Sequence, residues 1–276
     1  MIKQSFILLC TIFLSDVLFG QGTTNTTTSS SYFKLESAYI NDNIYNGRKD
    51  SLPFPNIITS LNYYHKNGLS IGSSVSYAAD KGYFDLFTID AGYDFNITDK
   101  LSGSLYGSKY FYNTTSNSVK GATKGVLGGM ISFEPGLISS SLDIGFLFSN
   151  KTDVYITPSV YHDFSFGEEN NNFSVSPNFK LTFGSLNYYA AYLNKPKKGR
   201  TQPQHVEVQN AKNINLLDYE FSIPLTYKLN KLSLFFTPAY VIPQSPLQIT
   251  KPNGTIYYTE PLDNSFYFEV GASIRF

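Results

Sequence analysis

The chain has 276 residues, with 21 basic and 21 acidic side chains and therefore no formal net charge. A neutral chain lacks the basic surface that nucleic-acid binding requires, so we expect no nucleic-acid partner. Charged residues form only 15% of the sequence and aromatic residues 16%, without any tryptophan, and this composition favours strands over helices.

Residues 1–20 have the pattern of a secretory signal peptide. Lys3 gives a positive start, an apolar segment follows, and Gly20 supplies a small residue before the expected cleavage. The only cysteine of the sequence, Cys10, lies in this apolar segment, so a mature chain would have no disulfide or thiolate metal site. Residues 21–31 are polar and of low complexity, and we expect a flexible lead-in there.

From residue 32 onward, apolar and polar residues alternate over stretches of about ten to fourteen residues, which is the pattern of strands with one apolar face. This alternation predicts an antiparallel all-β domain over residues 32–276 with about twelve strands, in a range of about ten to fourteen. The predicted strands lie near residues 32–41, 56–65, 69–79, 84–96, 101–113, 121–134, 137–149, 153–166, 172–193, 215–229, 232–243 and 263–276.

The connections between the predicted strands alternate between tight turns and longer loops. Turns such as Lys66–Gly68 and Thr98–Lys100 belong to the tight class, and segments 194–214 and 244–262 belong to the long class. Outer-membrane barrels have short periplasmic turns and longer external loops. An even strand number satisfies this alternation, so we keep 172–193 as one strand although it is long.

Four prolines conflict with regular strands, because Pro158, Pro177, Pro224 and Pro238 all lie inside predicted strands. Proline cannot donate a ladder hydrogen bond, and a closed barrel has no free edge for it. We therefore expect bulges at these positions or strands that are shorter than the alternation predicts.

A soluble β-sandwich would show the same alternation, with one face toward its core and the other toward water. Three features favour a transmembrane barrel instead. The polar faces consist mainly of Ser, Gly, Thr and Asn, the strands are long, and aromatic residues such as Tyr63 and Phe95 gather at strand ends as in an interfacial girdle.

The final segment carries a specific resemblance, because its apolar face ends on an aromatic residue. That face contains Phe266, Phe268, Val270, Ile274 and Phe276. The pattern resembles the terminal strand of Gram-negative outer-membrane β-barrel proteins. The resemblance implies that these residues are an insertion signal for the outer-membrane assembly machinery. It also implies location in the cell outer membrane, among its lipid and lipopolysaccharide, and pairing of the last strand with Phe33–Tyr39.

The sequence offers no convincing catalytic, cofactor or metal site. His162 lies near Asp163 and Ser165, but His162 and Ser165 are an odd number of residues apart and face opposite sides of a strand. No two histidines are closely spaced, so a metal site is not expected either. His205 and the basic segment 195–200 fall in a predicted external loop, where contact with lipopolysaccharide is an alternative to simple solvation. We therefore expect a protein that is not an enzyme.

Charged residues on the predicted inward faces are candidates for lining the lumen. They are Asp90, Asp94, Lys124, Asp143, Lys180, Glu220, Glu269 and Arg275. Opposite charges inside a barrel are expected to pair, so their signs give no clear ion preference. Asp90 and Asp94 share one face, and a cation site there is the alternative to such pairing.

Strand number decides how much space the lumen offers. Barrels of ~8 strands are filled by side chains and barrels of ~16–18 strands hold a wide channel, so twelve strands suit a narrow passage. We expect porin-like passive passage of small solutes. Two alternatives stay open: a structural or adhesive barrel with a plugged lumen that acts through its external loops, and a lipid-modifying enzyme of the outer leaflet. The enzyme would need a His and a Ser on one face near an external loop, which we do not find.

Overall fold

The computed structural model describes residues 30–49, 54–116, 118, 123–193, 207–209, 211–250 and 256–276. In chain order the elements are β1 (Tyr32–Ile40), β2 (Ile44–Tyr45), β3 (Arg48–Lys49), β4 (Asn56–Tyr64), β5 (Leu69–Ala78), β6 (Tyr83–Asn96), β7 (Leu101–Tyr112), β8 (Gly125–Phe133), β9 (Ser139–Phe148), β10 (Thr152–Tyr161), β11 (Phe164–Glu168), β12 (Asn171–Val175), β13 (Asn178–Gly184), α1 (Asn187–Leu193), β14 (Glu207–Gln209), β15 (Asn215–Ser222), β16 (Leu225–Leu229), β17 (Leu232–Pro243), β18 (Gln248–Thr250), β19 (Ile256–Thr259) and β20 (Ser265–Arg275). The expected signal peptide, nearly all of the lead-in, segment 195–200 and His205 lie outside the described residues.

Twelve antiparallel strands close into a barrel, as the alternation predicts. Three of the twelve are each interrupted once, so β10 continues into β11, β12 into β13, and β15 into β16. The ring closes because β20 pairs with β17 on one side and with β1 on the other. The expected pairing of the last strand with Phe33–Tyr39 is confirmed, since the register joins Lys34 to Arg275 and Ile40 to Glu269.

The predicted strand over residues 172–193 is wrong in its last part. The ladder ends at Gly184, and residues 187–193 form the helix α1. The Asp153 carboxylate, on β10, accepts hydrogen bonds from the backbone N–H groups of Asn187 and Tyr188. These donors begin the helix, so a side chain distant in sequence ends the strand that the local alternation would continue.

The four prolines lie at or beside interruptions of the hydrogen-bond ladder between strands. Pro177 lies between β12 and β13 and Pro224 between β15 and β16, so shorter strands are observed there, as expected. Pro158 and Pro238 lie inside β10 and β17, and the pairing of β10 with β13 skips the positions around Pro158. Three of these prolines still accept a backbone hydrogen bond from the neighbouring strand: the distances are 3.2 Å for Pro177, 2.9 Å for Pro224 and 3.1 Å for Pro238.

The outer surface of the barrel is apolar and exposed. Large hydrophobic side chains such as Leu61, Leu105, Leu127 and Phe236 alternate with buried or half-buried neighbours along each strand. An apolar exterior of this kind faces the hydrocarbon of a bilayer. No helix in the described parts of the chain is long and apolar enough to span a membrane.

Two inward-facing tyrosines lie flat against glycines of the adjacent strand. The ring of Tyr106 lies over Gly128, and the ring of Tyr155 lies over Gly145. A Cβ atom at either glycine would collide with the ring. Glycine at these positions therefore lets a large aromatic side chain follow the wall instead of projecting across the lumen.

Deleting Phe276 is expected to impair assembly of the barrel. Its backbone N–H donates to the Phe33 carbonyl at 3.0 Å, its carbonyl accepts from the Phe33 N–H at 2.9 Å, and its ring stacks on that of Phe33. The deletion removes these closing contacts. We expect a smaller fraction of heat-modifiable, folded protein in membrane fractions on semi-native gels.

The matched control for this deletion is Phe166→Ala. Phe166 is as exposed as Phe276, at 58% against 57%, but has no part in closing the barrel. Normal assembly without Phe276, or an equal defect in both variants, would contradict the role given to the terminal residue.

Candidate functional site

The predicted lining residues mostly lie on the inward face. Asp90, Asp94, Asp143, Lys180, Glu220, Glu269 and Arg275 each alternate with lipid-facing neighbours and are buried or half-buried. Lys124 differs, because it precedes β8 at the rim of the long-loop end and is exposed. The interior of the barrel is therefore the candidate functional site.

One wall of the lumen carries a dense set of polar contacts. The Lys180 ammonium pairs with the Glu220 carboxylate at 3.0 Å, and both side chains are buried. On the neighbouring strands, the Tyr106 hydroxyl donates to Asp143 Oδ1 at 2.8 Å and lies 2.8 Å from the Tyr155 hydroxyl. Asp218 is also buried on this wall, and the sequence candidates did not include it. Lys180 therefore shares its surroundings with several carboxylates.

The opposite part of the wall combines a second ion pair with an aromatic contact. Lys34 pairs with Glu36 at 2.5 Å, one strand away from Glu269. The Arg275 guanidinium lies over the ring of Tyr32, 5.0 Å from its centroid. These contacts show that the closing strands contribute charge to the lumen as well as an apolar outer face.

Carboxylates outnumber bases on the inward faces of the strands that the structure describes. The carboxylates are Glu36, Asp85, Asp90, Asp94, Asp143, Asp153, Asp218, Glu220 and Glu269, and the bases are Lys34, Lys180, Lys228 and Arg275. We expected opposite charges inside the barrel to pair and to leave no clear ion preference, but pairing on these faces cannot be one-to-one. Lys109 and Lys124 are exposed and do not add to the inward bases.

His162, which lies near Asp163 and Ser165 in the sequence, has an aromatic partner. The ring of His162 contacts the ring of Phe164 edge to face at 4.3 Å between centroids. Asp163, the next residue, accepts a hydrogen bond from Ser176. In the residues that the structure describes, no group of three or more His, Cys, Asp or Glu side chains is placed to bind a metal ion.

The long-loop end of the barrel is covered by a structure that we call the lid. It comprises the β2–β3 hairpin, the helix α1 and the segment 244–250 with residues 256–260. Arg48 connects its parts, because the guanidinium donates to the Ser245 carbonyl at 2.8 Å and to the Glu260 carboxylate at 3.2 Å. This ion pair is almost inaccessible, with side-chain exposures of 1% for Arg48 and 8% for Glu260.

Asp153 attaches the helix of the lid to the barrel rim. Its carboxylate accepts hydrogen bonds from the N–H of Asn187 at 2.6 Å, the N–H of Tyr188 at 2.7 Å and the Ser185 hydroxyl at 2.6 Å. A carboxylate at a helix N-terminus satisfies backbone donors that otherwise have no partner. Asp153 therefore belongs both to the carboxylates of the inner wall and to the contacts that hold the lid.

An apolar cluster fills the space directly under the lid. Tyr45, Leu186, Tyr188 and Leu247 from the lid and its flanks belong to one buried cluster with inward-facing residues of the wall. The wall residues are Leu86, Tyr110, Val126, Leu147, Tyr155 and Leu217. Tyr188 is completely buried, and this burial raises the pKa of its phenol well above the ordinary range. The lid therefore closes the mouth with a packed apolar layer.

The sequence contained one signal for the lid. Asn46 and Gly47 both have positive φ, at 49° and 73°, and an Asn-Gly pair with these angles forms a two-residue hairpin turn. The Asn-Gly pair therefore predicts a hairpin turn between β2 and β3, but it does not predict that the hairpin packs over the mouth of the barrel. The contacts of Arg48, Asp153 and Glu260 join segments that are distant in sequence, and no local pattern predicts them.

No protein-family model and no curated protein sequence matches this chain. Among solved structures, it is similar to the KdgM porin, with a TM-score of 0.50, 10% identity, and coverage of 88% of this chain and 99% of that chain. The fold is that of an outer-membrane β-barrel protein. This fold and the apolar exterior place the chain in the cell outer membrane.

Two further structures are similar at lower scores. LpxR from Salmonella typhimurium has a TM-score of 0.48 at 11% identity, with coverage of 87% of this chain and 99% of that chain. The NanC porin has a TM-score of 0.42 at 9% identity, with coverage of 88% and 98%. At these identities the likeness concerns the fold alone, so the function has to be argued from this chain's own residues.

Substituting Glu260→Gln is expected to loosen the lid without opening the barrel. The change leaves the buried Arg48 guanidinium without its counter-charge, and removal of one partner of a buried pair costs about 3–5 kcal/mol. We expect faster amide hydrogen exchange in residues 44–49 and 187–193, and unchanged exchange in β5–β9. Mass spectrometry of the folded protein measures both.

The control is Asp80→Asn, which breaks the exposed pair between Asp80 and Lys81 at 2.7 Å. An exposed pair contributes only about 0–1 kcal/mol, so the exchange of the lid should not change. If Glu260→Gln and Asp80→Asn gave the same exchange pattern, the pair between Arg48 and Glu260 would not be what holds the lid.

Proposed function

We propose that this protein is a porin-like passage for small solutes, and that the lid closes its external mouth in the conformation described. The carboxylate excess of the lumen is the observation that supports passage best. Carboxylates without matching bases cost several kcal/mol each in a dry interior. Such a lining is compatible with water and mobile ions in the lumen, and it would be unfavourable in a sealed barrel.

The small side chains of the lining support the same function. Ser60, Ser104, Ser132 and Ser141 face inward on four strands of the wall, and polar lining of this kind is found in water-filled barrels. The flat placement of Tyr106 and Tyr155 against glycines keeps their rings at the wall. This placement keeps both rings from projecting across the lumen, which supports a narrow passage below the apolar cluster.

The apolar cluster favours a second candidate, a structural or adhesive barrel with a plugged lumen. Tyr45, Tyr188 and Leu247 are packed under the lid, and a plug of this type would leave only the external loops to act. The two candidates differ in one property. A gate must open without loss of the barrel, whereas a plug stays in place as long as the barrel is folded.

We also propose that the protein has no catalytic activity. The contact of His162 with Phe164 supports this proposal, because the imidazole is occupied by an aromatic neighbour instead of a nucleophile. A lipid-hydrolysis assay that responded to Ser165→Ala would contradict it. For partners, the exposed face of Phe266 and Phe276 supports outer-membrane lipid around the barrel and the assembly machinery at the last strand.

Planar-bilayer recording should detect conductance steps from the folded protein, with more frequent openings for Glu260→Gln than for the parent chain. The reason is that the loosened lid no longer holds its apolar layer over the mouth. Asp80→Asn should behave like the parent. Heat-modifiable, folded Glu260→Gln protein that gave no conductance would contradict passage and favour the plugged barrel.

A further inference from the structure

We infer that the lumen selects cations, so that small inorganic cations and organic ammonium or guanidinium solutes pass in preference to anions. This inference rests on the proposed passage and adds the charge class of the solute. It is carried by where the carboxylates and bases lie on the inner wall, and by polar atoms on that wall that lack partners.

The carboxylates are concentrated on one wall in two adjacent rows of residues. In one row, Asp143 faces Thr157 across β9 and β10, and Thr182 faces Asp218 across β13 and β15. The register of β10 and β13 places Thr157 and Thr182 side by side and so joins the two halves of the row. In the next row, Ser159 faces Lys180, and Lys180 faces Glu220. Three carboxylates therefore surround one lysine, and the wall has a negative excess.

The remaining bases do not cancel this excess. Lys34 is paired with Glu36, and Glu269 lies on the adjoining strand. Lys228 lies near the short-turn end, where its ammonium donates to the Glu169 carbonyl at 3.1 Å, and Arg275 contacts Tyr32 at the same end. Lys228 and Arg275 thus lie at the short-turn end, whereas Asp143, Asp218 and Glu220 lie farther from that end.

Oxygen atoms without hydrogen-bond partners give a second, independent indication. Thr157 Oγ1 and Asp218 Oδ1 have no hydrogen-bond partner among the described residues, although the two residues are only 4% and 2% exposed. Thr237 Oγ1, on β17 and opposite Glu269 of β20, also has no hydrogen-bond partner among the described residues. Carboxylate and hydroxyl oxygens are the groups that bind hard cations and accept hydrogen bonds from ammonium groups. A cation that passes these rows would satisfy them.

The expected size of the effect follows from electrostatics. One charge about 10 Å from the path changes the population of a passing monovalent ion roughly twofold at the dielectric constant of water, and more near low-dielectric walls. Several unmatched carboxylates therefore give a clear preference, and neutralising any one of them should reduce it measurably.

The test is the reversal potential of Glu260→Gln channels in a gradient of KCl. We expect K⁺ to be more permeant than Cl⁻, and the additional substitution Asp143→Asn or Asp218→Asn to lower the K⁺/Cl⁻ permeability ratio roughly twofold each. Adding Asp80→Asn instead should leave the ratio unchanged, because that carboxylate is exposed outside the lumen. Asp94→Asn, at a half-buried position of β6, serves as a further lumen variant if a buried substitution prevents folding.

The outcomes separate the inference from the proposed function. Two results would overturn cation selection and leave passage intact. One is conductance with a preference for Cl⁻, and the other is a K⁺/Cl⁻ permeability ratio that is unchanged in Asp143→Asn, Asp218→Asn and Asp94→Asn. Folded protein without any conductance would overturn both.

A second measurement distinguishes organic from inorganic cations. Spermidine added to one side should reduce the K⁺ current, and less so in Asp143→Asn. Citrate at the same concentration should have little effect. Equal block by spermidine in the parent and in the lumen variants would limit the preference to inorganic cations and contradict the inference for ammonium solutes.

Discussion

The ring closes where β20 pairs with both β1 and β17, and this closure gives every wall strand two hydrogen-bonded neighbours. Inside a bilayer no water is present to pair with a free backbone N–H or C=O group, so every wall strand needs two neighbours. Closure also fixes which residues share the interior. Because side chains alternate, the ring that exposes Phe266 and Val270 to lipid also directs Glu269 into the lumen. The carboxylates of distant strands are thereby brought into one common space.

The lid and the lumen differ in how their buried charges are matched. In the lid, Arg48 is matched by Glu260 and by backbone carbonyls, and the space below is filled by Tyr188 and Leu247. In the lumen, Lys180 is shared among carboxylates that exceed it in number. The charges at the mouth are therefore matched under an apolar layer, whereas the wall below carries the carboxylate excess on which the proposed passage rests.

Sequence patterns predicted the barrel well because its determinants are local. Alternation is visible within a single strand, and the turn at Lys66–Gly68 is visible within a few residues. The helix α1 was missed because its residues continue an apolar pattern and its start depends on Asp153, in another strand. Asp218 lies two residues before Glu220 on the same inward face, so the alternation did contain a signal for it, although it was not among the sequence candidates. The lid depends on contacts between loops that are distant in sequence, and no local residue pattern predicts such contacts.

Gly128 and Gly145 have a consequence for the calibre of the barrel. Strand number sets the circumference of the wall, but the free diameter depends on how far the side chains project inward. At these two positions the absence of a methyl group lets Tyr106 and Tyr155 lie along the wall. Exchange of either glycine for alanine would push an aromatic ring toward the axis and narrow the bore by part of a ring's width. Two of the smallest residues in the chain thus keep two of its large aromatic rings at the wall.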